Sequence, residues 1–499
     1  MTGPFWGDLH NHNAIGYGKG SLERSYRIAE GSGLDVYAFT PHGNWKDMDT
    51  AGDETLLARH QEGYEKVRDA WPMVQGMAEQ RYRPGSFVTF AAFESHSSRF
   101  GDYHVLLPGN DHVIFDPDTP DALRDYCLRE GALMIPHHLA YPKGWRGCDW
   151  SSLHTDVSPV VCVFSEHGDG FDPDSAWRYT GHSMGGADWR QCARRHLQQG
   201  LRAGFIASTD NHFGHPASYG EGLAGIWAET LDRSSVLDAI RRRHVYAVSG
   251  DRIILKTEMA GAMMGDILPA ETDRTLRFEV TGQAPLTCIQ VLKNGDIAET
   301  FGPPPKGSNP KTNEVVFRLE FGWDTIGVDA LTEWDIRLDL DGAELLEAIP
   351  CFRGGAGSSE LVNELIEISE HHFRLRAFTS RRNTGPTSEI VVRARGKANS
   401  VVRVEATTRR DSTPGGATLR SSLGDLSDSD SWARISDTFS APKLRLARAH
   451  PAADFQRNGV WTDPTPGPND SYMLKVSQAN GHLAYSSPIW TTSEKELSR

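Results

Sequence analysis

Cysteine is scarce in this chain. There are six among 499 residues (Cys127, Cys148, Cys162, Cys192, Cys288 and Cys351), none in Cys-x-x-Cys spacing. That excludes a zinc ribbon or a thioredoxin-like motif. It also suits a reducing compartment, so a cytoplasmic location is expected. Long hydrophobic runs are missing too. No stretch approaches the length of a membrane span, and Met1 to Trp6 has neither the basic nor the apolar part of a signal peptide. Positive charge is in deficit. A formal net charge of −14 excludes a nucleic acid or anionic membrane held by bulk electrostatics. The expected partner is a small, anionic molecule, and the composition is compatible with a homo-oligomer. Finally, histidine is depleted from the second half: sixteen of the twenty lie at or before His244. That asymmetry places the chemistry in the first half.

What is present divides the chain in two. The length suits two large domains or three small ones. In the first half, apolar runs alternate with helical patterns. The runs are Phe5 to His10, Asp35 to Thr40, Ser86 to Phe93, Ala132 to Ile135, Val160 to Phe164, Gly204 to Ser208 and Val245 to Val248. Helices are predicted from Ser21, from Asp53 to a stop at Pro72, over Asp121 to Arg129, Asp188 to Gln199 and Ser234 to Arg243. Strands apolar throughout and separated by helices indicate a parallel sheet covered by helices. Past Asp251 short alternating runs take over, with Asn294-Gly295 as a hairpin signal. Loops are predicted over 301–313 and 412–431, and a short helix is weighed at Ser359 to Ile368. The expected class is α/β plus all-β, with domains at 1–252 and 253–499 and a β-sandwich-like second half.

The apolar runs of the first half end in metal-ligand residue types. Gly7-Asp8-Leu9-His10-Asn11-His12 sets two histidines at i and i+2, which face the same way in an extended segment. His42, Glu94, His137 with His138, Glu166 with His167, and Asp210 with His212 close later runs, and His104 lies on a shorter one. Histidines and acids gathered at strand ends are a site signature. Of the neighbouring pair, His137 is preferred as the ligand. His96 is read as a supporting or surface residue, and Cys162 as packing.

The ordered set Asp8-Leu9-His10-Asn11-His12, Thr40-Pro41-His42, Glu94, His104, His137 and Ser208-Thr209-Asp210-Asn211-His212 resembles the PHP superfamily (polymerase and histidinol phosphatase). It is similar to a PHP-like subfamily of largely unassigned function, notably over Gly204 to Asp266 and at Tyr485-Ser486-Ser487-Pro488-Ile489-Trp490. The resemblance implies a distorted (β/α)7 barrel with two or three divalent ions, zinc, manganese or iron. His10, His12, Glu94 and Asp210 would surround one ion. Glu94 would bridge to a second held by His104 and His137, and His42 and His212 would serve a third. Glu94, Asp210 and His212 would stand nearest the reacting atoms. Tyr17 falls near a usual ligand position, and Pro41 replaces the usual acid before His42.

The activity implied is that of a metallohydrolase, foremost a phosphoesterase using a metal-activated hydroxide. Hydrolysis of a carboxylic ester, amide or carbamate, iron or manganese redox or lyase chemistry, and a metal-stabilised binding module are the alternatives. Loops after the strands supply candidate substrate contacts: Tyr17, Trp45, Lys46, Arg99, His138, Tyr141, Lys143, Trp145, Arg146 and His167. The cations among them suit a phosphate or carboxylate.

Overall fold

The computed structural model of the protein describes residues 3–48, 54–179, 184–305, 313–324, 331–355, 361–380, 385, 387–410, 412–438 and 440–493. Its first half contains strands β1 (Phe5–Asp8), β2 (Val36–Phe39), β3 (His42–Trp45), β4 (Val88–His96), β5 (Asp102–Leu106), β6 (Leu133–His137), β7 (Val160–Ser165), β8 (Gly168–Asp169), β9 (Gly204–Ala207), β10 (Leu223–Ile226) and β11 (Val245–Val248). Interspersed are helices α1 (Leu22–Gly31), α2 (Glu54–Arg81), α3 (Pro120–Glu130), α4 (Ala193–Gln198) and α5 (Arg233–Arg241).

Local chemistry accounts for the helix ends. The Ser21 hydroxyl accepts from the Arg24 amide at the start of α1. Thr119 caps α3, Pro120 opens it, and Gly131 closes it at φ 68°, a left-handed conformation that glycine adopts without steric cost. Pro72 does not end α2 as predicted; the helix carries it and runs on to Arg81. Trp71 before the proline and Val74 and Ala78 beyond it are buried, and that burial offsets the hydrogen bond lost there.

The expected (β/α)7 barrel followed by a β-sandwich is not what the chain forms. Strands take 43% of the described residues and helices 17%, with six α-helices and several sheets. The fold is β-rich. β1, β2, β3 and β4 pair in parallel, but β4 with β5, β5 with β6, β1 with β10 and β10 with β11 are antiparallel. The sequence pattern misled for a physical reason. Any strand covered on both faces is apolar throughout, whichever way its neighbours run. The turn from β4 to β5 is also too short to hold a helix.

The main sheet does not stop at residue 252. Its order runs Ile267–Pro269, Ile489–Thr492, Ser471–Gln478, Leu483–Ser486, β11, β10, β1, β2, β4, β5, β6. Leu483–Ser486 pairs antiparallel with β11, Tyr246 opposite Ser486 and Val248 opposite Ala484. The strands predicted near the C-terminus therefore close onto the first half of the chain. β7, β8 and β9 form a separate three-stranded sheet. One apolar core, including Leu9, Val36, Phe90, Ile135, Val160 and Ile206, is shared by both sheets.

The rest of the second half makes a nine-stranded sheet and a four-stranded one. Its two longest strands, Thr332–Cys351 and Thr387–Arg410, pair antiparallel and alternate buried with half-exposed residues over much of their length. The hairpin at Asn294-Gly295 forms, with φ of 51° and 79°. The predicted loop over 412–431 is instead a strand, Thr413–Ser422, and a short helix, Leu423–Asp428. Glu364–Ile368 is a strand rather than a helix, and 359–360 lie outside the described residues. So does most of the predicted loop at 301–313.

Candidate metal centre

The strand ends bring acids and imidazoles to one buried point. β1 delivers His10 and His12 through the i, i+2 geometry of an extended chain. The same spacing recurs as Glu94-x-His96 on β4, Asp102-x-His104 on β5 and Asp210-x-His212 after β9. Apart from His212, these eight groups are at most 3% exposed.

Distances are short. Asp210 lies 3.2 Å from His10 Nε2 and 3.0 Å from His12 Nε2 through Oδ1, and 3.3 Å from His167 Nε2 through Oδ2. Three nitrogens surround Glu94 Oε2: His12 at 3.4 Å, His42 at 3.5 Å and His96 at 3.3 Å. Glu94 Oε1 is 2.8 Å from His137 Nε2. His138 stands 3.6 Å from Asp210.

Apart from the hydrogen bond between His137 and Glu94, these close approaches leave many ligand atoms unpartnered. The Thr40 hydroxyl accepts from the Asn11 amide and donates to the Asn11 carbonyl. It also lies 2.8 Å from His10 Nδ1, and His10 Nε2 has no hydrogen-bond partner although it faces Asp210 Oδ1 at 3.2 Å. His212 Nδ1 meets only acceptors, the Asp210 carbonyl at 2.9 Å and Glu166 at 3.1 Å. Its Nε2 lies 3.3 Å from His42 Nε2, close enough for the two rings to share one proton or one cation. Glu94 Oε2, Asp210 Oδ2, both nitrogens of His12 and both of His104 have no hydrogen-bond partner. Buried polar groups are normally paired, so unpartnered ligand atoms converging on one point suit a cation. His12, His42 and His212 offer one such grouping, His10, His12 and Glu94 another, and Glu94, Asp102, His137 and His138 a third.

Electrostatics agree with the geometry. Burial holds His12, His42, His104 and His138 well below the ordinary imidazole range, so they are neutral and able to ligate. Burial, then the Asp210 charge, pushes Glu166 up to about 8. Burial would also raise Asp210, but the surrounding imidazoles, His10 first, hold it well below the usual carboxylate range.

Asp8 supports the loop rather than facing the cluster. It accepts from the Thr209 amide and hydroxyl and from the Ala217 amide at 2.7–3.1 Å. That fixes Asp210 in a left-handed backbone, φ 56°, a conformation that costs roughly 1 kcal/mol or more off glycine.

The other sequence candidates scatter. Tyr17 lies flat on His42, ring centroids 3.6 Å apart, and burial keeps its phenol well above 10, which does not favour a phenolate ligand. Trp45, His138, Arg146 and His167 line a cavity of about 880 Å³ above the cluster. Tyr141 reaches it through His167, its hydroxyl 2.8 Å from Nδ1. His104 stacks on His10 at 4.8 Å. Lys46 and Arg99 line a different cleft of about 140 Å³. Lys143 is exposed and paired with Asp149.

His96 was read as supporting or surface; it is buried against Glu94. Asp102 was missed. It is fully buried, accepts from Arg146 Nε at 2.7 Å and lies 3.4 Å from His96 Nδ1. Its position two residues before His104 was the available signal.

Residues 216–266 match the model of a family described as "Protein of unknown function (DUF3604)". That segment begins just after Asp210 and His212 and spans β10, α5 and β11. An uncharacterized protein of Chlamydia pneumoniae is 23% identical over 264 residues, 47% of this chain and 41% of the relative. One of Chlamydia trachomatis is 31% identical over 121 residues, 21% of this chain and 20% of the relative. A third, of Chlamydia muridarum, is 26% identical over 173 residues, 32% and 28% respectively. The matches thus span less than half of each relative's length.

Proposed function

We propose that this protein is a metal-dependent hydrolase acting on a phosphate ester, with two or three divalent ions held among His10, His12, His42, Glu94, His137, Asp210 and His212. One observation carries the reading: His10 Nε2, His12 Nε2, Glu94 Oε2 and Asp210 Oδ2 are buried close together and have no hydrogen-bond partner. The PHP-like motif order supports the same activity. Ions bound there would polarise the scissile ester and lower the pKa of water.

The chain's own groups do the rest. His12, His42 and His137, held neutral by burial, and the carboxylates of Glu94 and Asp210 would supply the ligands. Arg146 is tied to Asp102 and lies 4.9 Å over Trp45, so it stiffens the wall. Asp8 and Thr40 orient the ligands. Glu166 lies 3.1 Å from His212 Nδ1 and lines the cavity, where it would be placed to exchange a proton with a leaving oxygen. No helix among the described residues is long and apolar enough to cross a membrane, and the six cysteines are unpaired, which supports a cytoplasmic setting.

The test is a screen of para-nitrophenyl phosphate, a phosphodiester and an acyl ester, with manganese, zinc and iron added in turn, beside elemental analysis of the purified protein. Metal-dependent phosphoester turnover is expected. Turnover confined to the acyl ester would replace the substrate class. A protein that retains no metal would end the reading.

A further inference from the structure

We propose that Arg59 is a specificity-determining residue, binding an anionic group on the part of the substrate that is not cleaved. The inference rests on the metal-hydrolase reading and adds to it a substrate class: a phosphoester with an aromatic or apolar middle and a second anion at its far end.

Three observations lead there. Arg59 lines the mouth of the cavity, on α2. Its guanidinium stands 5.8 Å over the Tyr17 ring, and Tyr17 in turn lies on His42. Tyr17 is thus the ring that both Arg59 and the candidate ligand His42 meet.

Second, the nearby cations are committed elsewhere. Arg146 is paired with Asp102, Lys143 with Asp149, and Lys46 with Asp116 and Asp118. Arg59 has no ion pair among the described residues. A guanidinium held over an aromatic face keeps its fork of donors free for a carboxylate or phosphate.

Third, the space between is large and ring-lined. About 880 Å³, walled by Tyr17, Trp45, Trp145 and Leu56, is room for a drug-sized molecule rather than a bare phosphate. Trp145 is 65% exposed, and an aromatic ligand would cover it.

The test uses the metal-loaded protein with phenyl phosphate and 4-carboxyphenyl phosphate as substrates, and the matching phosphonates as non-reacting probes in calorimetry. The carboxylated compound is expected to be preferred by about tenfold or more, the size of a charge-assisted hydrogen bond, with the gain in KM and Kd rather than kcat. Arg59→Gln should bring the ratio close to one, and Arg59→Lys should keep part of it. Arg124→Gln, on the surface, should leave the ratio alone. A native ratio of one, or a ratio that survives Arg59→Gln, overturns the proposal. If neither phosphate is hydrolysed but the phosphonate preference appears and follows Arg59, the hydrolase reading falls and the anion site stands.

Discussion

The carboxylate of Asp251 and those of Glu94 and Asp210 are equally buried, yet their surroundings differ in kind. Asp251 accepts from Tyr219 Oη, Gln478 Nε2 and Asn480 Nδ2, each at 2.7 Å, and from Arg318 at 2.8 and 2.9 Å. Its partners come from both halves of the chain, so it ties the nine-stranded sheet and the C-terminal strands to the end of β11. Glu94 Oε2 and Asp210 Oδ2 have near neighbours and no hydrogen bonds. A cluster whose protons are all placed holds the protein together. A cluster with unpartnered ligand atoms is where the proposed ions would sit.

Breaking the open cluster should give the largest effect. Replacing His10 and Asp210 together by alanine should remove bound metal, read by elemental analysis, and cut turnover by about a thousandfold or more, several kcal/mol of lost charge stabilisation. Unchanged metal content and turnover would abolish the distinction between the clusters.

Breaking the satisfied cluster should do the reverse. Arg318→Met leaves a buried carboxylate without its cation and should cost about 3–5 kcal/mol in urea unfolding, with metal content unchanged. Burial alone would raise Asp251, but Arg318 holds it well below the usual carboxylate range. A depressed folded value means its stabilisation is complete above about pH 4 and fades as pH falls further. Arg318→Met should therefore move the onset of acid unfolding upward.

A second pH window sharpens the picture. His482 packs beside this cluster, its Nδ1 3.0 Å from the Ser249 hydroxyl, and burial lowers it to about 4. Between pH 6.5 and 4 the unfolded chain binds the proton and the folded one does not, so stability falls as pH drops through that range. The loss is about 3 kcal/mol at most, and His482→Gln should flatten the slope. Smallest of all is Pro72→Ala. This exposed position on α2 should gain about 1 kcal/mol from restored helix bonding, measured as a higher melting temperature with metal content unmoved.

Much of the site was legible because extended strands impose a two-residue period on which side chains share a face. His10-x-His12 announced that rule, and applying it to Glu94 and Asp102 would have found His96 and Asp102 as well. Arg59 gave no signal. It sits on a helix, and only packing decides which helix face meets the cavity. The satisfied cluster was equally silent, since Asp251, Arg318 and Gln478 lie far apart in the chain and each reads alone as an ordinary polar residue.

The sequence by itself determined which histidines and acids gather at the candidate site, and where helices α1 and α3 begin. These are local matters, decided by periodicity, capping and composition. Strand direction, the β-rich architecture and the passage of the C-terminal strands into the first half's sheet were decided only in the tertiary structure. Apolar runs state that a strand will be covered on both faces, and pairing between distant segments chooses the neighbour and its direction.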